Sequence, residues 1–348
     1  MVNETIIDQY SKNLSCYSAT IEVCETCNWD CKHCYLPKHF DKGMNFNTLK
    51  ELMIDLRELG VFELVLTGGE IFTRKDLIDI VEFGRKLGFH IILLTNCSMI
   101  TEEIIQKLLI LNVTSIETTI FSLDSKIHDS FVGVEGALEK SLKAIIRMKE
   151  LNFKVKVKTI IMDFNYGGYK DIEEFCKSHD IEFLLTPDVY KKNNGDQFPL
   201  DLRIKEKQLD EIINHIDKNC GYVYENDNFD SFVCKSTRYS LFIDSKGNIQ
   251  PCGNYKYYIG NINEGIKNIW GKSEELHKIQ NIKYKDVDKC KTCNKISNCS
   301  VCFGIIQNYN KSICTYVPLK TDCKIAEIRN NISKKKDKKY EKIRNTNN

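Results

Sequence analysis

Short apolar runs alternate with amphipathic stretches from Ala19 to about Thr186. The runs predict six strands, at Ala19–Val23, Glu63–Thr67, His90–Thr95, Ser115–Phe121, Lys154–Ile161 and Ile181–Thr186. The stretches between them carry helical periodicity over Asn47–Leu59, Lys75–Leu87, Thr101–Ile110, Ala137–Leu151 and Tyr169–Ser178. A last helix near Leu202–Ile216 would complete the sixth unit. Gly60 and Gly88 fall where helix-ending glycines belong. Six strand–helix repeats imply a parallel sheet with right-handed crossovers. The class is therefore α/β, a partial (β/α)6 TIM-like barrel open on one side, with its chemistry at the C-terminal ends of the strands.

After Asn219 the helical periodicity fades, and from Cys220 onward nine of the remaining 129 residues are cysteine. Two short runs, Tyr239–Ile243 and Ile249–Pro251, flank Ser245-Lys246-Gly247-Asn248 and predict a hairpin. The chain divides into an N-terminal segment 1–18, a barrel 19–219, a small cysteine-rich C-terminal domain 220–330 and a tail 331–348. Lys334 to Arg344 holds seven Lys/Arg and two Asp/Glu, so the tail reads as a solvated, disordered end.

Of the 348 residues 42% are hydrophobic, enough for a substantial core, and no apolar run reaches membrane-spanning length. Formal net charge is +2, and the tail's +5 leaves about −3 for the rest. That balance excludes a nucleic-acid binder. The polar N-terminus shows no export signal. The chain is expected in the cytoplasm, where sixteen cysteines stay reduced and serve as metal or cluster ligands rather than disulfides.

Cys27, Cys31 and Cys34 stand in a C-x3-C-x2-C run directly after the first strand. Three thiolates so spaced can hold three irons of a [4Fe–4S] cube and leave the fourth open, whereas electron-transfer cubes take four cysteines. A zinc site is the plainer alternative. The run resembles the signature of the radical S-adenosylmethionine (SAM) family. That resemblance implies an open iron chelating SAM and reductive cleavage to a 5′-deoxyadenosyl radical, with a flavodoxin- or ferredoxin-type protein as reductant. His33 is read as a structural neighbour, and Cys24 as no fourth ligand, since a fourth would close the open iron.

Other strand ends extend the resemblance. Thr67-Gly68-Gly69-Glu70 ends strand two and looks like the family's GGE motif, implying contact with the SAM amino group and a carboxylate at the barrel mouth. Thr95-Asn96-Cys97 ends strand three where relatives have Thr-Asn-Gly. Asn96 is a cofactor-binding candidate. Cys97 is a small buried residue or, on the sharper reading, a thiol hydrogen donor. Ser122-Leu123-Asp124 ends strand four and resembles the family's Ser-Leu-Asp, which makes Ser122 a SAM contact. Tyr35 is expected beside the cluster or the adenine. Either Lys158 or Thr159 faces the pocket, and alternation alone does not decide which.

The later cysteines resemble the SPASM extension of radical SAM enzymes, with Cys299-Ser300-Val301-Cys302 one residue shorter than the usual C-x3-C. The resemblance implies two auxiliary iron–sulfur clusters, one on Cys234, Cys252 and Cys302 with Cys314 as its open question, the other on Cys290, Cys293, Cys299 and Cys323. It also implies a maturase acting on a short ribosomal precursor peptide and forming an oxidative cross-link such as a cysteine thioether. Peptide epimerisation, sulfatase maturation and tetrapyrrole modification are the alternatives. A non-catalytic iron–sulfur scaffold would cleave no SAM, and the intact motifs count against it. Only about 18 residues precede strand one, too few for a leader-binding domain. A separate protein is expected to deliver the peptide, or the open barrel to bind it directly.

Overall fold

The structure is a computed structural model that describes residues 4–37, 40–219, 229–299, 301–310 and 317–346. Cys220 and Cys314 lie outside the described residues. The elements in chain order are α1 (Glu4–Lys12), β1 (Ser18–Cys24), α2 (Phe46–Leu59), β2 (Glu63–Gly68), α3 (Leu77–Lys86), β3 (His90–Leu94) and α4 (Glu102–Ile110). Then follow β4 (Ser115–Thr119), α5 (Ser125–Val132), α6 (Ala137–Glu150), β5 (Val155–Ile160), α7 (Tyr169–Ser178) and β6 (Glu182–Thr186). The rest are α8 (Glu206–Asn219), β7 (Ser240–Ile243), β8 (Asn248–Gln250), β9 (Gly260–Asn261), α9 (Ile266–Lys272), α10 (Glu274–Asn281), α11 (Phe303–Asn310) and α12 (Lys320–Thr346). They form two compact units, Met1–Arg203 with Ser236–His277, and Ile204–Lys235 with Lys278–Asn348.

The first unit is built on one sheet in the order β6-β5-β4-β3-β2-β1-β7-β8-β9. Strands β1 to β6 run parallel in sequence order, each joined to the next through a helical crossover. This is the partial barrel that the periodicity predicts. Local signals place the helices. Asn45 caps α2 by accepting from Thr48 N at 3.0 Å, and Gly60 ends it in the left-handed conformation at φ 98°. Thr101 caps α4 in the same way.

Burial along the strands shows which side faces the helices. Ile21, Leu64, Leu66, Ile91, Leu93, Ile116, Val155 and Val157 are fully buried in the core under the helices. The alternate residues, Thr20, Val65, Thr67, Ile92, Leu94, Thr119 and Lys158, are half-exposed on the concave face. A closed TIM barrel fills that space with layered side chains; here these positions stay half-exposed.

Three expectations are corrected. The helix near 202–216 does not complete a sixth barrel unit. Pro199 lies in a short 3-10 turn over Phe198–Leu202, α8 starts only at Glu206, and it belongs to the second unit, where Arg329 of α12 pairs with Asp217 at 3.2 Å. The hairpin is found at β7 and β8 as expected. Yet β7 pairs parallel to β1, so the barrel's sheet continues across the boundary placed near residue 219. The basic tail is helical to Thr346 rather than disordered, because Lys320–Thr346 contains neither glycine nor proline and is rich in Lys.

Candidate active site

The cysteine loop leaves β1 through an irregularity in register between Glu22 and Cys24. A bulge at a strand end re-aims the chain, and such bulges gather beside active sites. Arg74 fixes this exit: its Nη1 donates to the carbonyls of Val23 at 2.8 Å, Lys42 at 3.1 Å and Met44 at 2.8 Å, while Asp76 holds the other edge of the guanidinium.

Cys27, Cys31 and Cys34 are half-buried, with no disulfide. Burial first, and then the Glu70 carboxylate and the neighbouring thiols, push Cys27 up to about 12, and burial followed by the neighbouring thiols raises Cys31 well above the ordinary thiol range. Burial and the carboxylates of Glu22 and Asp30 raise Cys34. Three thiols that oppose one another's ionisation become thiolates readily only around cationic metal. A single zinc at about 2.3 Å from each sulfur would gather them within roughly 4 Å. Among the described residues no three Cys, His, Asp or Glu side chains close on one ion. The soft three-thiol set fits the three cysteine-bound irons of a cube.

The two glycines after β2 have a different reason from the one the motif suggests. A Cβ on Gly68 would lie 2.3 Å from Cys24 O, and one on Gly69 would lie 2.4 Å from Thr26 O. Their missing side chains let β2 pack onto the root of the cysteine loop, where Gly69 N donates to Cys24 O at 2.9 Å and Glu70 N to Thr26 O at 2.8 Å. Thr67, just before them, is half-exposed.

Glu70 departs from expectation as well. Its carboxylate is not at the barrel mouth but fully buried. It accepts from Phe72 N at 3.0 Å, Thr95 Oγ1 at 2.7 Å and Asn96 N at 2.7 Å. Burial raises its ionisation point, and these donors oppose the rise. The side chain is a strut between the ends of β2 and β3. Asn96 continues the brace, donating through Nδ2 to Asn28 Oδ1 at 2.9 Å inside the cysteine loop, while Asn28 donates to Ser98 Oγ at 2.9 Å.

Cys97 stands at φ 64°, the left-handed region that glycine occupies freely. Its thiol is fully buried in the core and pushed up to about 12 by that burial. The hydrogen-donor reading is corrected on that ground, because a donor must reach a substrate and this thiol has no open path. Cys97→Ala is expected to cost about 1 kcal/mol in denaturant unfolding. It should leave hydrogen isotope incorporation into product unchanged.

Ser122 lies after β4 and its Oγ accepts from Asp124 N at 3.0 Å, leaving its own hydrogen free to direct elsewhere. Asp124 caps α5. Strand five resolves plainly: Thr159 is buried with its hydroxyl on Ile120 O at 2.9 Å, and Lys158 faces the lumen. His33 packs against Phe121 and Phe131 at ring distances of 5.0 and 5.5 Å and is lowered to about 4 by burial, in keeping with a structural neighbour.

Tyr35 donates its hydroxyl to Glu22 Oε2 at 2.6 Å. Glu22, which sequence reading passed over, is buried on β1 and pushed up to about 7 by that burial, against the pull of the Tyr35 hydrogen bond. Its signal was a lone acid in an otherwise apolar strand. The sign of the linkage follows. A carboxyl near 4.5 when unfolded and near 7 when folded favours the native state at low pH, and this contribution is lost as pH rises through 7. The iron-free chain should gain up to ~3 kcal/mol in urea unfolding from pH 8 to 5. In Glu22→Gln the gain should shrink by the part this carboxyl contributes, leaving that of the other raised carboxyls such as Glu70.

In the second unit the structure gathers Cys290, Cys293, Cys299 and Cys323. Burial and the other three thiols push Cys290 up to about 12, and burial, Asp322 and its neighbouring thiols push Cys299 to about 11. Cys234 and Cys302 also belong to this unit, whereas Cys252 follows β8 in the first.

Residues 21–178 match the model of the radical SAM superfamily, and residues 234–294 that of the SPASM iron-sulfur cluster-binding domain. The AdoMet-dependent heme synthase of Nitratidesulfovibrio vulgaris is 24% identical over 355 residues, which cover 89% of this chain and 95% of that protein. AlbA, the antilisterial bacteriocin subtilosin biosynthesis protein of Bacillus subtilis, is 22% identical over 328 residues, 86% of this chain and 70% of that one. Streptococcus suis SuiB, solved with its precursor peptide SuiA, shares the fold at a TM-score of 0.67 and 16% identity, covering 90% of this chain and 78% of that one.

Proposed function

For this chain, a radical SAM enzyme with a SPASM domain, we propose that the substrate is a ribosomally made peptide and the product an oxidative cross-link such as a cysteine thioether. When bound, SAM and the clusters supply a 5′-deoxyadenosyl radical and take up the electron that the substrate releases. The substrate loses one hydrogen atom to that radical and, beyond the electron, one proton, so the product is two hydrogens lighter.

The chain's own residues do the holding. Cys27, Cys31 and Cys34 carry the open cube, and the Glu70–Asn96–Asn28 brace keeps their loop against the strand ends. Thr67, Gly68 and Gly69, Ser122 and Asn96 line the SAM side of the site. Cys290, Cys293, Cys299 and Cys323 hold one auxiliary cluster. The other is assigned, as the resemblance implies, to Cys234, Cys252 and Cys302, with Cys314 or an open iron at its fourth corner. A flavodoxin- or ferredoxin-type protein supplies the electron.

What supports a peptide substrate is the SPASM match over residues 234–294 together with the similarity, over 86% of this chain, to AlbA, a bacteriocin biosynthesis protein. A second reading, modification of a tetrapyrrole, is favoured by the end-to-end similarity to a heme synthase. Reconstituted enzyme offered either a Cys-containing precursor peptide or an iron tetrapyrrole bearing propionates separates the two. Formation of 5′-deoxyadenosine with a peptide product two hydrogens lighter supports the first reading. Carbon dioxide release from the tetrapyrrole with an unchanged peptide replaces it with the second.

A further inference from the structure

The polar groups of one residue just past β4 are held by side chains rather than by the sheet. Ile120 N still meets Lys158 O on β5 at 3.1 Å. At the next residue, Phe121 N donates to His128 Nδ1 of α5 at 3.3 Å, and Phe121 O accepts from Asn165 Nδ2 at 3.0 Å. Asn165 stands in the 3-10 turn Asp163–Gly168 after β5. It is fixed in turn, donating to Ile160 O at 3.1 Å and accepting from Met162 N at 2.7 Å. His128, Asn165 and Ser122 are all buried. Ser122, directly after Phe121, is the candidate SAM contact.

A backbone N–H can only donate, so His128 Nδ1 is the acceptor and the ring is neutral with its proton on Nε2. Burial favours that form, lowering His128 to about 4 against the opposing charge of Asp129. Among the described residues the buried Nε2 has no hydrogen-bond partner. Neither has the indole Nε1 of Trp29, whose ring stands edge-to-face with the imidazole at 5.4 Å. An unpaired buried donor costs more than one ordinary hydrogen bond returns. Stability alone therefore gives no reason for a histidine at this position. Its placement does. The imidazole lies between Phe121, the residue before Ser122, and Trp29, in the loop that carries Cys27 and Cys31.

We propose that His128 and Asn165 are positioning residues for the cofactor, clamping the N–H and the carbonyl of Phe121 so that the Ser122 hydroxyl is held where SAM binds. Ser122 Oγ accepts from Asp124 N at 3.0 Å, which leaves its hydrogen for another acceptor. Residues 120–124 belong to no helix or strand, so the link that carries this hydroxyl takes its rigidity from outside. The two clamps come from different elements, α5 and the turn after β5, and Trp29 sets the same imidazole against the cysteine loop. The role rests on the proposed contact of Ser122 with SAM.

The test is equilibrium dialysis of SAM against reconstituted holoenzyme without reductant, with iron counted in each variant. His128→Phe removes the acceptor and keeps a ring. It is expected to weaken SAM binding about tenfold, the order that one lost hydrogen bond gives. His128→Asn, whose Oδ1 can take the place of Nδ1, should stay within about twofold of wild type. Asn165→Ala should weaken binding in the same direction as His128→Phe. In a Ser122→Ala background, which itself binds SAM more weakly, His128→Phe should cost no further affinity, because both act through one hydroxyl. A merely structural histidine would add its loss to that of Ser122→Ala. Full iron with wild-type affinity in His128→Phe, or an additive loss in the double variant, overturns the proposal. Should His128→Phe fail to load iron, Asn165→Ala, alone and with Ser122→Ala, decides in the same way. Wild-type affinity in Ser122→Ala at full iron would instead refute the serine contact, and the positioning role with it.

Discussion

Cys27→Ala, Cys31→Ala and Cys34→Ala, made together, are expected to abolish 5′-deoxyadenosine formation and to remove about four irons of roughly twelve, one cube's worth. The loss should be complete because Cys27, Cys31 and Cys34 are the three cysteines of the loop after β1. The barrel core should survive, since these residues belong to a loop held by Arg74 and Asn96 rather than to the strands. Anaerobic reconstitution, iron analysis and chromatography of SAM products check it. Retention of cleavage activity in the triple variant would remove the loop from the chemistry.

Glu70→Ala is expected to be the most destabilising single substitution at the site, by about 4 kcal/mol. Three donors that now end on one buried carboxylate would be left unpaired, and each such loss costs about 1–3 kcal/mol. Glu70→Gln should cost about half as much. Its amide can keep the oxygen facing Phe72 N and Thr95 Oγ1 but sets an NH2 against Asn96 N. Because Asn96 braces the cysteine loop through Asn28, the alanine variant should also load less iron at the first cluster. Urea unfolding of the iron-free chains measures the first effect, and iron per chain after reconstitution the second. An alanine variant as stable as wild type would mean that the strut is dispensable.

The barrel was legible because its strands bury one face completely: Leu64 and Leu66 alternate with Val65 and Thr67, and their period of two survives in the sequence. What escaped was set by tertiary contact. Helix α5 is only eight residues long, too short for periodicity, and its signal was the Asp124 cap and Gly133 rather than a hydrophobic stripe. The pairing of β7 with β1 joins residues more than 200 positions apart, which no local pattern records. Gly68 and Gly69 were read as clearance for a ligand, whereas the backbone of Cys24 to Thr26 fills that space. Glu70 was read as reaching outward by its place at a strand end, and three backbone and hydroxyl donors turn it inward. Cys97 replaced an expected glycine by keeping the glycine's backbone conformation, which sequence cannot display.

Substrate choice is where the similarity to a bacteriocin biosynthesis protein and the similarity to a heme synthase pull in different directions, and the product itself decides. The most direct measurement is the mass of a Cys-containing precursor peptide after anaerobic turnover with the reconstituted enzyme in deuterated water. A peptide two hydrogens lighter, with no non-exchangeable deuterium, is the result predicted for an oxidative cross-link. One non-exchangeable deuterium without loss of hydrogen, or a peptide of unaltered mass despite SAM cleavage, would contradict it.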